Sequence, residues 1–231
     1  MPEVVSGKAF SLVTAINPYA KDINRLISSL VPSGKVVFQD DFENTALKWR
    51  NTLGTTARDT TNYFPFMGNA CLQIDTAAVI ESRNETYKRL HALRNMRMGL
   101  EMWFLLPSFA NINYIQFSLD RDGPVRNAEI QYDPVTTNLS YYNSAGGLTN
   151  FGTLPNWHID AYQHMKLIAD LVTGYYVSFE IGDELFDLSS YRVWSATGGN
   201  REVFASITIE TAIAGVKSIY VDDVIVTNEE S

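Results

Sequence analysis

Two stretches at opposite ends of the chain place adjacent carboxylates inside apolar, strand-like runs. One is Val36 to Trp49, reading VVFQDDFENTALKW, and the other is Ile219 to Thr227, reading IYVDDVIVT. Side chains alternate along a strand, so Asp40 shares a face with Phe38 and Phe42 while Asp41 shares one with Val37 and Gln39. One carboxylate of each pair must then point inward. A carboxylate among aromatic side chains needs backbone N–H groups, an arginine or a cation. If the two stretches pair as neighbouring strands, Asp40, Asp41, Asp222 and Asp223 converge, and hard oxygen donors at close range suit a structural calcium. The expectation is a seam that closes the sheet, with a cation or an arginine between the aspartates and no other cofactor required.

Ring stacking on sugar faces is the second chemistry the residue types allow. Tyr141 and Tyr142 are consecutive, so alternation turns at least one ring outward, and Trp157 between Asn156 and His158 reads as a loop residue. These three are the candidate glycan-binding residues, with nearby Asn and Asp to meet hydroxyls. Most other aromatic residues read as core and edge packing. The three histidines, His91, His158 and His164, show no His-x-x-x-His spacing and no neighbouring cysteine ligand, and no serine nucleophile elbow is present.

The elements that must position these residues are almost all strands. Apolar alternation bounded by turn residues marks eleven of them: 36–42, 71–76, 86–93, 97–106, 114–120, 128–132, 139–143, 164–171, 175–181, 202–211 and 217–227. Asp122-Gly123-Pro124, Asp133-Pro134, Gly146-Gly147, Thr173-Gly174 and Gly182-Asp183 sit where hairpins reverse. Strands joined by hairpins without intervening helices point to an all-β, antiparallel jelly-roll β-sandwich over residues 35–231. Residues 1–34 read differently, as an apolar arm followed by one short amphipathic helix. Asn17-Pro18 would start the helix, Ile23, Leu26, Ile27 and Leu30 would form its buried face, and Pro32 and Gly34 would end it.

Composition narrows the function. A formal charge of -8 argues against a nucleic-acid binder, which needs clustered basic residues to displace phosphate counterions. The basic stretch Arg83, Lys88, Arg89, Arg94 and Arg97, with Glu85 its one carboxylate, reads as a solvated strand face. No apolar run approaches the ~18 residues of a membrane span. The single cysteine, Cys71, rules out an intrachain disulfide. The N-terminus lacks the charged and apolar regions of a Sec signal, which places the expected setting in a virion or cytoplasmic assembly.

The early DDFEN followed by a Trp, the hairpin MKLIADLVTGYYVSFEIGDELFDLS and the terminal YVDDVIVT together resemble the concanavalin A-like lectin and glucanase superfamily, in its laminin-G-like branch. Lys166, Asp170, Gly174 and Tyr176 follow that group's Lys-x-x-x-Asp-x-x-x-Gly-x-Tyr pattern with the last spacing altered. The resemblance covers about residues 35 to 228 and implies that the first and last strands lie side by side; members of the group often carry a structural calcium. Its glucanases set acid and nucleophile on alternating positions of one strand, as Glu-x-Asp-x-Glu or Glu-x-Asp-x-x-Glu. Neither Glu180-Ile-Gly-Asp183-Glu184 nor Glu101-Met-Trp-Phe satisfies that pattern.

The leading expectation is therefore a non-enzymatic structural or surface-recognition protein, a phage or virus particle component of the capsid-decoration or fibre type. It would associate with copies of itself or with other subunits through the arm. A carbohydrate-binding module with a glycan partner is the alternative, and a glycoside hydrolase using carboxylates distant in sequence is the second.

Overall fold

Met98, Leu100, Met102 and Phe104 are buried on one side of a single strand while Gly99, Glu101, Trp103 and Leu105 lie on the other, and this two-residue period recurs through the chain. In the computed structural model the described residues are 34–52, 54–60, 65–91, 96–122, 125–154, 160–197 and 202–230. They contain strands, turns and bends and no helix. The arm and helix expected over 1–34 fall outside them, apart from Gly34.

The strands are β1 (Lys35–Asp40), β2 (Arg50–Asn51), β3 (Thr55–Asp59), β4 (Cys71–Asp75), β5 (Arg83–Leu90), β6 (Arg97–Leu105), β7 (Ile112–Arg121) and β8 (Val125–Asp133). Then follow β9 (Asn138–Tyr142), β10 (Leu148–Thr153), β11 (Gln163–Asp170), β12 (Tyr175–Ile181), β13 (Glu184–Asp187), β14 (Trp194–Ala196), β15 (Val203–Thr211) and β16 (Ser218–Asn228). All eleven expected strands are present. The five further ones, β2, β3, β10, β13 and β14, are short or lie towards sheet edges.

The strands form two antiparallel sheets. Sheet A has the order β13-β12-β11-β6-β16-β4-β3, with β1 also on β16; sheet B has the order β10-β9-β8-β7-β15-β5-β2, with β14 on β8. The chain crosses repeatedly between the sheets, at β1–β2, β2–β3, β4–β5, β5–β6, β6–β7, β10–β11, β13–β14 and β15–β16, as a jelly-roll sandwich requires. Between the sheets lies one continuous apolar core in which Phe104 of sheet A meets Phe117 of sheet B at 5.1 Å between ring centroids. Each fully buried Leu, Ile or Phe there contributes about 1.5–3 kcal/mol relative to exposure.

The first and last strands do pair. β1 runs antiparallel to β16, with Asp40 opposite Val224, and β4 takes over the same edge of β16 from Val221 to Ser218. Between the two partners β16 bulges against β6, and Asp223 there has φ 47°, a left-handed conformation that Asp tolerates.

Candidate functional site

At the seam the four aspartates do not converge. Asp40 faces the core, as its partner Val224 does, and is only 4% exposed. Lys48 Nζ donates to its Oδ1 at 2.9 Å and Trp49 Nε1 to its Oδ2 at 3.1 Å, so both oxygens are occupied. Asp222 sits on the outward side, opposite Trp103, and accepts the backbone N–H groups of Met67 and Asp223 at 3.1 and 2.9 Å. Burial, followed by the neighbouring Asp223 charge, pushes its carboxyl up to about 7. Asp223 is raised by burial and by the charge of Asp41, which is itself exposed. An arginine serves the seam as well: Arg58 Nε donates to the Phe42 carbonyl at 2.6 Å. Among the described residues no three His, Cys, Asp or Glu side chains gather as a metal cluster.

The outward face of sheet A holds a charge-paired network. The register sets Glu101 opposite Lys166 and Lys166 opposite Glu180, and it sets Trp103 opposite His164. His164 Nε2 lies 2.9 Å from Glu101 Oε1, and Lys166 Nζ lies 3.4 Å from Glu101 Oε2 and 3.3 Å from Glu230. Burial lowers the affinity of His164 for its proton, but the hydrogen bonds and charges of Glu101 and Glu180 outweigh it and raise the imidazole above its ordinary range. Gly99 makes room for Glu230, since a Cβ there would lie 2.6 Å from its Oε1. Phe66 stacks on Trp103 at 3.9 Å. Glu101, His164, Asp222 and Glu230 are all buried.

The outward face of sheet B is built differently. Its core-facing residues are Ile115, Phe117 and Leu119 on β7 and Val203, Ala205, Ile207 and Ile209 on β15. The alternate positions are polar: Gln116, Ser118 and Asp120 on β7, Ser206 and Thr208 on β15, Glu85 on β5, and Asn127, Glu129 and Gln131 on β8. The register aligns them in rows. Phe204 lies opposite Asp120, which lies opposite Asn127. Tyr87 lies opposite Ser206, then Ser118, then Glu129. Glu85 lies opposite Thr208, then Gln116, then Gln131. Ser118 and Ser206 share a hydrogen bond of 2.5 Å, while Thr208 Oγ1 and Asp120 Oδ1 are buried with no hydrogen-bond partner.

Rings flank this polar floor on both sides. Tyr87 and Phe204 meet edge to face at 5.9 Å, and Tyr142 and Trp194 lie tilted at 6.0 Å. Three strand spacings of ~4.8 Å separate β15 from β9, so the two ring pairs stand about 14 Å apart. Burial, then the charges of Glu129 and Glu85, hold the Asp120 carboxyl well above the usual carboxylate range. Burial also raises Glu129, against the pull of Asn127 and Arg83. The Tyr176 hydroxyl reaches through from sheet A, accepting the Glu129 N–H at 3.0 Å and donating to the Tyr142 carbonyl at 3.0 Å. It thereby fixes Glu129 and Tyr142 beside each other. Asp170 caps the turn before it, accepting from Val172 and Thr173, and Gly174 follows with φ 80°.

Of the residues singled out in the sequence, Tyr142 reaches this face. Tyr141 does not: it is 8% exposed and stacks on Tyr191 at 4.5 Å within the core, because alternation sends the two rings to opposite sides. Trp157 falls outside the described residues. Sequence reasoning missed Glu85, Asp120, Glu129, Trp194 and Phe204. The available signal was the polar phase of the alternation in β5, β7 and β15, but only the register shows that these phases share one face.

The two antiparallel sheets with their crossing connections define a jelly-roll β-sandwich. Among solved structures, the chain is similar to the carbohydrate recognition domain of Emp47p, at 12% identity and a TM-score of 0.55, covering 85% of this chain and 98% of that one. It is similar to a glycoside hydrolase family 16 endo-glucanase from Bacteroides ovatus at 11% identity and a TM-score of 0.52, covering 83% and 100%. It is also similar to an endo-β-1,4-glucuronan lyase from Trichoderma reesei at 15% identity and a TM-score of 0.51, covering 84% and 96%. At these identities the likeness is one of fold. The sequence matches no protein family and no curated protein.

Proposed function

We propose that the protein binds carbohydrate on the outward face of sheet B. The observation that carries this reading is a floor of hydroxyl, amide and carboxyl groups flanked by two ring pairs, with Asp120 Oδ1 and Thr208 Oγ1 buried and unpartnered. Sugars offer apolar ring faces for stacking and hydroxyls that both donate and accept, which is the complement of such a floor. The carbohydrate recognition domain of Emp47p and the family 16 endo-glucanase, which share the fold, lend this reading support. The particle-subunit expectation rested on the N-terminal arm, which lies outside the described residues, and it is the weaker reading.

No bond-breaking step is required of the site, and the alternating acid motif of the glucanases is missing from β8, where Asn127, Glu129 and Gln131 occupy the alternate positions. The test is a glycan array with the wild type and a Trp194→Ala variant shown to be folded. Wild-type signal that falls roughly tenfold in the variant is expected. Silence of the folded wild type across the array would remove the proposal.

A further inference from the structure

On the basis of the carbohydrate reading, we propose that this face selects neutral glycans over acidic ones and that Asp120 is the residue that reads the ligand. Glu85, Asp120 and Glu129 come from three strands and bracket the Ser118–Ser206 bond. Asp120 and Glu129 are diagonal neighbours on β7 and β8, a relation that sets side chains about 7–8 Å apart, while Glu85 lies two strands from Asp120 and adds its charge to both from there. Of the nearby cations, Arg83 offsets Asp120 and Glu129 only in part, since both remain raised. Arg83 stands at the margin, opposite Glu210, and Arg89 is paired with Glu202.

A uronate or sulfate entering here would bring a further negative charge beside carboxylates that already repel one another, and it would exchange its hydration for no cationic partner. A sugar hydroxyl meets no such penalty. It donates to Asp120 Oδ1 when that carboxyl is ionised and accepts from it when protonated. Asp120 is only partly buried as a residue, and while Ser118 hydrogen-bonds its carboxyl, Oδ1 keeps no partner, so Asp120 is the group on this floor left with an acceptor to offer a ligand. Burial together with Glu129 and Glu85 favours the protonated form of Asp120, which lets one residue serve in either role.

The experiment is titration calorimetry at pH 7.5 with neutral xylan or glucan oligosaccharides and with oligoglucuronate of equal length. It uses the wild type, Asp120→Asn and the double variant Glu85→Gln/Glu129→Gln, each checked for fold by circular dichroism. The wild type is expected to bind at least one neutral oligosaccharide roughly tenfold or more tightly than the uronate. Asp120→Asn should lose about tenfold on the neutral ligand, and the double variant should narrow the neutral-to-acidic ratio by admitting the uronate. Raising salt on the wild type is a second measurement that needs no variant, and it should improve uronate binding by screening.

Equal or tighter uronate binding by the wild type, a ratio unchanged in the double variant, or uronate binding that falls with salt would overturn the selection while leaving carbohydrate binding intact. A folded wild type that binds neither class would overturn the carbohydrate reading itself.

Discussion

The outward faces of the two sheets carry similar numbers of acidic groups and handle them in opposite ways. On sheet A every buried carboxylate has a counterpart: Glu101 meets His164 and Lys166, Glu230 meets Lys166, and Asp222 takes two backbone N–H groups. On sheet B, Asp120 and Glu129 are diagonal neighbours beside Ser118, Glu85 adds its charge from two strands away, and Asp120 keeps one oxygen unpartnered. A buried charge with a partner belongs to the fold, whereas one whose partner is withheld leaves a free energy that a ligand can recover. Removing carboxylates from each face in turn separates the two roles.

The largest effect is expected from Glu101→Ala. It strips His164 and Lys166 of their shared partner, and breaking such a buried pair costs about 3–5 kcal/mol, read as a fall in the urea midpoint. Sugar affinity of the folded fraction should be unchanged.

Next is the pH dependence of the sheet A seam. The folded pKa of Asp222, about 7, lies above its ordinary value of 3.8, so its contribution to stability is fully present below about pH 4 and is lost as pH rises through 7. The loss is bounded at about 4 kcal/mol. His164, also raised, acts in the same direction at higher pH. Thermal melts from pH 4 to 8 should therefore show falling stability, and Asp222→Asn, which cannot ionise, should flatten the curve between pH 4 and 7.

Tyr176→Phe tests the strut between the sheets. It leaves the Glu129 N–H and the Tyr142 carbonyl without their shared hydroxyl, an expected loss of about 1–3 kcal/mol by chemical denaturation, accompanied by weaker sugar binding. The smallest stability change belongs to Asp120→Asn. Because it relieves repulsion without breaking a pair, its urea midpoint should hold or rise slightly, within about 0.5 kcal/mol, even as affinity drops. A large destabilisation would place Asp120 with the structural carboxylates of sheet A.

Much of the fold was legible because the long strands alternate cleanly. The apolar phases of β6, β7, β11, β15 and β16 announce one core, and the two Asp-pair segments announced their own pairing. The five extra strands lacked that signal: β2 has two residues, β3 reads TTARD, and β13 and β14 are short stretches whose pairing depends on a neighbour. The seam was legible as a place but not as a chemistry, since the bulge at Asp222 and Asp223 sends Asp40 and Asp222 to opposite faces. The site was the least legible part. Its acids sit at 85, 120 and 129, and what joins them is strand order, in which β15, late in the chain, inserts between β5 and β7. The Lys-x-x-x-Asp-x-x-x-Gly-x-Tyr pattern was visible as a resemblance, but its part in bracing Glu129 and Tyr142 becomes apparent only when Tyr176 is seen to cross the core.

The most direct test of the central claim is to map a bound ligand onto the two faces by NMR, following backbone amide shifts during titration with the neutral oligosaccharide that binds most tightly. Shifts concentrated at Tyr87, Asp120, Glu129, Tyr142 and Phe204, with Glu101, His164 and Lys166 unmoved, are the predicted result. Shifts confined to sheet A, around Trp103 and His164, would contradict the account.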